Sequence, residues 1–284
     1  MNTLAIDIGG TKFSLAVFSG GEMIRRITRS TDREGGSAWM LRELAAEIAA
    51  WQKDLELVHC GIGFGGPVDF EQQRIALSTH VSGWSDVDLP AFLKNKCNLN
   101  AVMDNDANVG ALGEAFHGAG RGCDPLFYMT LSTGIGGGIV HNGRVYRGAD
   151  SYAGEIGHHT IRADGPPCLC GSRGCYERMC CGLWLEKDYG RSARELLQDP
   201  DFVAAYVVHL AAGLKNCIMM LNPARIVIGG GISKAGDALF VPLRAELRNQ
   251  LTSWSRARID LVPAELKDDS VLCGALELAK QMRS

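Results

Sequence analysis

Short apolar runs that end in glycine alternate along the chain with stretches whose apolar residues have helical spacing. Leu4–Ile8 and Phe13–Phe18 are largely apolar and predict two buried strands, and Gly9-Gly10 between them predicts a tight turn. The apolar spacing of Ala38–Trp51 predicts a helix, and Leu57–Phe64 predicts a further buried strand. This order indicates an α/β protein.

The remaining predicted elements continue the alternation. They are the helix Pro90–Lys96, the strand Ala101–Met103, the helices Asn108–Phe116 and Phe202–Leu221, the strand Arg225–Ile228, and the helices Ala238–Ser253 and Ser270–Met282. The boundaries follow from apolar spacing and from glycine or polar breaks.

The pattern of the N-terminal segment recurs about 125 residues later, the kind of internal similarity that indicates duplication. Leu126–Leu131, the turn Ser132-Thr133-Gly134 and Gly136–Val140 give strand, glycine turn and strand, and Asn142-Gly143 predicts a hairpin. Any α/β protein repeats such units. The shared order nevertheless favours a duplicated α/β fold with a central cleft.

Composition excludes several classes of protein. The 29 Lys and Arg residues nearly balance the 32 Asp and Glu residues, so no basic surplus indicates nucleic-acid binding. No leader-like start and no window apolar enough to span a bilayer is evident, which predicts a cytoplasmic protein without a membrane partner. Glycine is in excess, at 35 residues or about 12%, and its clustering in short loops favours backbone close to a ligand.

The two glycine turns are candidate phosphate-binding sites. Backbone N–H groups of Asp7–Lys12 could approach phosphate oxygens, Thr11 adds a hydroxyl, and Asp7 could orient Mg²⁺ through water. An ordinary hairpin with a surface acid is the alternative. The second copy at Thr133–Gly137 strengthens the phosphate interpretation, since two facing turns can clamp a triphosphate.

Ten cysteines in a chain without a leader favour thiols or a metal over disulfides. The spacing His158-x9-Cys168-x-Cys170-x4-Cys175 supplies the ligand types of a closed Cys₃His zinc site, with no position left for a water nucleophile. Core cysteines are the alternative, but this stretch is too polar and glycine-rich for a core. From the residues alone, His159 could replace His158.

Four blocks occur in order: DIGGTK at 7–12, DNDAN at 104–108, STGIGGG at 132–138, and GEIGHHTI with CLCGSRGCYE over 154–177. In this combination the chain resembles the ROK family of sugar kinases and sugar-responsive repressors, within the actin-like ATPase superfamily. The resemblance implies a duplicated, ribonuclease H-like α/β fold of two lobes around a central cleft, with a zinc loop. It implies a small lobe at 1–113, completed by a C-terminal helix at about 271–284. A large lobe at 114–270 would carry the zinc loop and a homodimer surface.

The resemblance also assigns roles to residues. The ATP-binding positions are Asp7, Gly9, Gly10, Thr11, Lys12, Thr133, Gly134, Gly230 and Gly231, the last two bordering the adenosine. The sugar-binding positions are Gly65, Gly66, His80, Asn105, Asp106, Glu155, His158 and Glu177. The zinc ligands are His158, selected over His159, with Cys168, Cys170 and Cys175, and this structural zinc would support the sugar-binding carboxylates.

Asp106 is the predicted general base, because phosphoryl transfer needs an acceptor hydroxyl that is held in line and relieved of its proton. From the sequence alone, a helix-capping role for Asp104-Asn105-Asp106 is favoured. The family pattern reverses that preference for Asp106 and leaves Asp104 structural.

Two positions depart from the family pattern. His80 stands where family kinases usually have Asn in an N-x-x-G-W stretch, and Cys181 precedes Gly182 where Ser-Gly is usual. His80 therefore leaves the acceptor sugar open, whereas Cys181 is expected only to pack.

The resulting hypothesis is an ATP- and Mg²⁺-dependent hexose kinase that phosphorylates the 6-hydroxyl of glucose. N-acetylmannosamine or N-acetylglucosamine kinase is the first alternative. A sugar-sensing regulator is a further one, disfavoured because the phosphate motif starts at residue 7 and leaves no room for a DNA reader. A catalytically dead sugar-binding module would be expected to lack Asp106 or the phosphate glycines, which are intact.

Overall fold

The structure is a computed structural model that describes residues 2–78, 81–253, 255, 257 and 259–282. By its internal contacts the chain forms two compact units. The first unit comprises Met1–Phe116, Arg147–Ala153 and Asp269–Ser284, and the second comprises His117–Tyr146 and Gly154–Asp268.

The elements alternate along the described chain as an α/β protein requires. The strands are β1 Asn2–Ile8, β2 Lys12–Ser19, β3 Glu22–Ser30, β4 Leu57–Phe64, β5 Val68–Asp69, β6 Arg74–Ile75, β7 Asn100–Asn105, β8 Leu126–Leu131, β9 Ile135–His141, β10 Arg144–Val145, β11 Arg225–Gly229 and β12 Leu261–Pro263. The helices are α1 Gly36–Trp51, α2 Leu89–Cys97, α3 Asp106–His117, α4 Tyr176–Cys180, α5 Gly182–Tyr189, α6 Ala193–Leu196, α7 Pro200–Leu221, α8 Asp237–Leu251 and α9 Ser270–Gln281.

The main sheet of the first unit has the order β3-β2-β1-β4-β7. Strands β1 and β2 form an antiparallel hairpin, whereas β1, β4 and β7 run parallel. The register pairs Ile8 with Phe64 and Phe64 with Asn105, so the carboxyl ends of three parallel strands meet at one edge. In open α/β sheets, ligands bind at this edge.

The main sheet of the second unit has the order β10-β9-β8-β11-β12. Again a hairpin, β8 and β9, is followed by parallel pairing of β8 with β11 and of β11 with β12. The two sheets therefore have the same topology, and the duplication expected from the repeated strand, glycine turn and strand is confirmed.

The C-terminal helix α9 belongs to the core of the first unit. A side chain built on Gly274 would overlap the carbonyl oxygen of Val109 on α3, and one on Gly61 of β4 would overlap the carbonyl of Ala275. Glycine at these positions lets α9 lie directly against α3 and β4. Ser270 donates a hydrogen bond to the buried Glu114 carboxylate at 2.7 Å.

Helix α7 corrects one expectation. By length and composition it is apolar enough to cross a membrane, the one such helix among the residues that the structure describes, and half of its apolar window is buried. Val203, Leu210 and Leu214 on this helix belong to the buried core of the second unit. Its apolar character is therefore that of a core helix.

Other differences concern short elements. Helices α4, α5 and α6 and strand β3 are not evident in the sequence pattern, because four to nine residues of mixed polarity carry little periodic signal. Helix α3 begins at Asp106 rather than Asn108, because the amide of Asn105 bonds the backbone at its N-terminus.

Candidate functional site

The first glycine turn joins β1 to β2, and each of its three carbonyl oxygens accepts a hydrogen bond from the protein. Thr31 Oγ1 donates to Gly9 O at 3.0 Å, Arg33 Nε to Gly10 O at 2.8 Å, and Thr31 N to Thr11 O at 2.9 Å. A trans peptide directs its N–H opposite to its carbonyl. The N–H groups that follow these carbonyls therefore point away from Thr31 and Arg33, as an anion-binding turn requires.

The second glycine turn, between β8 and β9, is held in the same way by different residues. Gly182 N donates to Ser132 O at 2.8 Å, Leu183 N to Thr133 O at 3.1 Å, and Ser132 N to Gly134 O at 3.0 Å. The first two donors lie in the opening turn of α5. Each unit thus carries one glycine turn whose carbonyl oxygens are bonded within the protein.

Asp106 lies beside the first turn. Gly65 N donates to Ile8 O at 2.8 Å, which draws the end of β4 against the end of β1. A Cβ on Gly65 would lie 3.5 Å from Asp106 Oδ2 and equally 3.5 Å from Gly9 Cα. The predicted base and the predicted phosphate turn therefore border the same small space.

Asn105 supplies the cap that the sequence suggested for this cluster. Its Oδ1 accepts the N–H of Ala107 at 2.9 Å, and its Nδ2 donates to Gly66 O at 3.0 Å. An amide has two N–H groups, and the bond to Gly66 uses one of them. Asp106 then occupies the first turn of α3, where the helix dipole favours an ionised carboxylate.

Glu155, His158 and Glu177 come together in the second unit. Burial raises the pKa of Glu155, His158 opposes that rise, and the carboxylate of Glu177 adds to it. Glu177 Oε2 accepts the backbone N–H of Ile135 at 2.9 Å. The Glu177 carboxylate is therefore bound to the residue that directly follows the second glycine turn.

The cysteine loop brings three of the four predicted ligands into one cluster and places the fourth, Cys175, beside Cys170. The ligand atoms of His158, Cys168 and Cys170 lie within 4.8 Å of one another, and the sulfurs of Cys170 and Cys175 are 3.5 Å apart. A tetrahedral site with Zn–S bonds of about 2.3 Å separates its sulfurs by about 3.8 Å. The donor types therefore suit zinc, and the Cys170–Cys175 distance is close to the sulfur spacing of such a site. His159 instead stacks on Tyr176.

Gly230 and Gly231 follow β11 at the same sheet edge as the second turn. Gly230 has φ of +87°, and a side chain there would overlap the backbone carbonyl of Leu131. Ser233 Oγ donates to Gly230 O at 2.8 Å. A short 3₁₀ turn begins at Ile232, so the pair is also the strand-to-helix turn that the sequence allowed.

His80 lies outside the described residues. Just beyond it, Val81 and Trp84 are buried, and Trp84 packs edge-on to Phe64 with ring centroids 5.1 Å apart. Cys181 is fully buried beneath the second turn, as expected of a packing residue. All ten cysteines are free thiols.

Several residues that hold this arrangement were not predicted. Thr31, Arg33 and Gly182 hold the carbonyls of the glycine turns, and Arg147 forms an ion pair with Asp104 at 2.8 Å. All act across long sequence separations.

Comparison with known proteins gives a consistent result. The profile of the ROK family matches residues 3–282. A glucokinase of Thermotoga maritima is 31% identical, over 99% of this chain and 98% of its own length. The crystal structure of a ROK family glucokinase from Streptomyces griseus in complex with glucose and AMPPNP superposes with a TM-score of 0.85 at 27% identity, covering 99% of this chain and 100% of that one.

A xylose repressor of Bacillus subtilis is also similar, at 29% identity over 78% of this chain and 61% of its own length. The profile match over nearly the whole chain, together with the two sheets of equal topology, identifies the fold as α/β of the actin-like ATPase type with mixed sheets. The chain belongs to the ROK family.

Proposed function

We propose that this protein is an ATP-dependent sugar kinase that transfers the γ-phosphoryl group to the 6-hydroxyl of a hexose, with glucose as the acceptor. The observation that carries the proposal is the pairing of Asp106 with the first glycine turn around Gly65. A carboxylate beside a phosphate-binding turn is what a hydroxyl needs if it is to be deprotonated while it attacks phosphorus.

In the proposed reaction the acceptor hydroxyl donates its hydrogen bond to Asp106. As its oxygen bonds to the γ-phosphorus, the proton passes to the Asp106 carboxylate, and the bond between the γ-phosphorus and the bridging oxygen breaks. ADP leaves with the electron pair of that bond. The position of Asp106 in the first turn of α3 places its carboxylate where the helix dipole favours negative charge.

ATP would be held by backbone groups of both glycine turns. The N–H groups of Gly10, Thr11, Thr133 and Gly134, with the two Thr hydroxyls, would meet phosphate oxygens. Gly9, whose own N–H donates to Lys12 O at 3.0 Å, would let a phosphate approach because it has no side chain. Lys12 would add positive charge, and Gly230 and Gly231 would border the adenosine. Mg²⁺ would be held by Asp7 through water and would neutralise phosphate charge.

The sugar would be held by paired hydrogen bonds. Carboxylates accept from neighbouring hydroxyls, which suits Glu155 and Glu177. The remaining amide N–H of Asn105, the imidazoles of His158 and His80, and the backbone of Gly65 and Gly66 would complete the set. Glu155 is largely buried, so its carboxylate has little contact with water. A sugar hydroxyl bound there would supply the hydrogen bonds that water does not.

We further propose a structural zinc ion at His158, Cys168, Cys170 and Cys175. All four ligands come from the protein, so the ion would leave no open position for catalysis. Its effect would be to fix the loop that leads from Glu155 to Glu177. A cytoplasmic homodimer is part of the same proposal.

The glucokinase relatives support glucose as the acceptor. The substitution of His80 for the usual Asn keeps an N-acetylhexosamine, such as N-acetylmannosamine or N-acetylglucosamine, as the second candidate. A non-enzymatic regulator is less favoured, since the net charge of −3 gives no basic surplus for DNA.

The test is a coupled ADP-release assay with glucose, mannose, N-acetylmannosamine and N-acetylglucosamine at saturating Mg·ATP, with the phosphorylated position identified by ³¹P NMR. We expect the highest kcat/KM with glucose and a 6-phosphate product. A higher kcat/KM with an N-acetylhexosamine would mean that this sugar, and not glucose, is the acceptor. Absence of sugar-dependent ADP release with every sugar would overturn the kinase proposal.

A further inference from the structure

Asp104 is a buried carboxylate immediately before the sugar-binding amide and the base. Its side chain is 1% exposed, and its Oδ1 accepts the backbone N–H of Asn105 at 2.8 Å and the Nδ2 of Asn108 at 3.0 Å. It therefore bonds the peptide that enters the cluster and a side chain one turn into α3. The rotation of this one carboxylate fixes where that peptide lies.

Arg147 holds the other oxygen of the same carboxylate. Its Nε donates to Asp104 Oδ2 at 2.8 Å, and the Arg147 side chain is 19% exposed. Burial raises the pKa of Asp104, and Arg147 is the strongest of the groups that oppose the rise. The guanidinium thus opposes the effect of burial on this carboxylate and anchors it at one rotation.

The surroundings fix Arg147 in turn. Its Cζ lies 3.4 Å from the ring centroid of Phe70, a contact that restricts the guanidinium plane. Ser151 accepts the N–H of Phe70 at 3.2 Å, and Ala153 N donates to Arg147 O at 3.0 Å. The segment Arg147–Ala153 is accordingly part of the first unit, although both of its neighbours along the chain belong to the second.

The loop that carries Phe70 also braces the strand leading to Asp104. The Gln73 side chain accepts the N–H of Met103 at 2.7 Å and donates to Met103 O at 3.1 Å and to Phe70 O at 2.7 Å. Arg147 contacts both Asp104 at the end of β7 and Phe70 in the loop that Gln73 bonds to the same strand.

We propose that Arg147 is a positioning residue for phosphoryl transfer, which holds Asn105 and Asp106 in place through the Asp104 carboxylate. The inference rests on the proposed kinase function. A buried ion pair is by itself weak evidence of stability, since apolar residues can replace such pairs at no loss. What distinguishes this pair is that its carboxylate bonds the peptide entering the proposed base and sugar ligand.

The test compares Arg147→Met with Arg25→Met, which removes a partly exposed arginine paired with Asp54 in the same unit. For Arg147→Met we expect kcat/KM for glucose to fall at least about tenfold, because small displacements of reacting groups are costly. The KM for ATP should change less than about twofold. Arg25→Met should leave both parameters unchanged. If kcat/KM for glucose falls and the KM for ATP rises by the same factor, the substitution has damaged the protein generally, and the proposal is overturned.

A second variant separates positioning from the burial of an unpaired charge. In Asp104→Asn/Arg147→Met the charge is gone while an amide oxygen remains to accept from Asn105. We expect the melting temperature to recover towards that of the parent and kcat/KM for glucose to stay low. Full recovery of kcat/KM would mean that the unpaired charge, rather than lost positioning, caused the defect.

Amide hydrogen exchange tests the positioning role of Arg147 without any measurement of activity. In Arg147→Met, exchange of the Asn105 N–H should accelerate at least about tenfold while the strands β1 and β4 keep their protection. Unchanged exchange at Asn105 would overturn the positioning role. Parent protein without any sugar-dependent ADP release would instead overturn the kinase proposal and leave the exchange result to decide the role of Arg147.

Discussion

The carboxylate of Glu177 is hydrogen-bonded to the backbone N–H of Ile135 at 2.9 Å. Ile135 is the first residue of β9 and directly follows the second glycine turn. A side chain added at Gly134 would lie only 2.8 Å from the same oxygen, Oε2 of Glu177. Glu177 therefore holds the proposed phosphate turn with one oxygen and leaves Oε1 for the proposed sugar contact.

Two substitutions of Glu177 should separate these roles. Glu177→Gln keeps an oxygen that can accept from Ile135 but loses the negative charge, so kcat/KM for glucose should fall while the KM for ATP changes little. Glu177→Ala also releases the turn, so the KM for ATP should rise about fivefold, the worth of one hydrogen bond of about 1 kcal/mol. Steady-state kinetics with each substrate varied in turn measures both.

The exposed Glu186 on α5 offers a matched control, and Glu186→Ala should leave both KM values unchanged. An equal rise in the KM for ATP in the Gln and Ala variants of Glu177 would show that the carboxylate does not act on the turn through its hydrogen bond with Ile135.

Zinc should be present at one ion per chain in protein purified without added metal. Cys170→Ser should lose the ion, lower the melting temperature and weaken glucose binding, because a structural ion contributes its binding free energy to folding. Cys123→Ser, at a partly exposed cysteine outside the loop, should keep the ion. Elemental analysis and thermal denaturation measure these effects. Wild-type protein that is free of metal yet fully active would contradict the zinc proposal.

The sequence predicted the local parts of the site and missed the contacts that hold them. Glycine turns, the cysteine spacing and the repeated hairpins are contiguous patterns, which is why they could be read directly. The donors that hold the turn carbonyls, such as Thr31 for Gly9 and Gly182 for Ser132, lie about 20 to 50 residues away. No periodicity encodes such pairings.

The DNDAN cluster at 104–108 also combines a feature that the sequence predicts with contacts that only the structure shows. The sequence favoured a helix cap there, and the structure assigns the cap to Asn105 through its bond to Ala107. Which of three adjacent polar residues caps a helix depends on the backbone leaving β7. The ion pair of Asp104 with Arg147 depends on a segment 43 residues further along the chain, so it too required the fold.

His80 should influence the choice of sugar. An Asn amide donates and accepts over a short reach, whereas a neutral imidazole donates from one nitrogen and accepts at the other. His80→Asn should therefore change the ratio of kcat/KM for glucose to that for N-acetylmannosamine and mannose by an amount on the order of 1 kcal/mol, about fivefold. The KM for ATP should change less. Constant ratios would mean that His80 does not contact the sugar.

The most direct measurement of the central claim is the kcat of Asp106→Asn in the coupled ADP-release assay, with glucose and Mg·ATP saturating. Asparagine keeps the size of the side chain but cannot take the proton of the acceptor hydroxyl. We predict that kcat falls at least about 10²-fold, while glucose binding, followed by calorimetry, and the melting temperature stay close to those of the parent. A kcat within a few-fold of the parent would show that Asp106 is not the base and would contradict the mechanism.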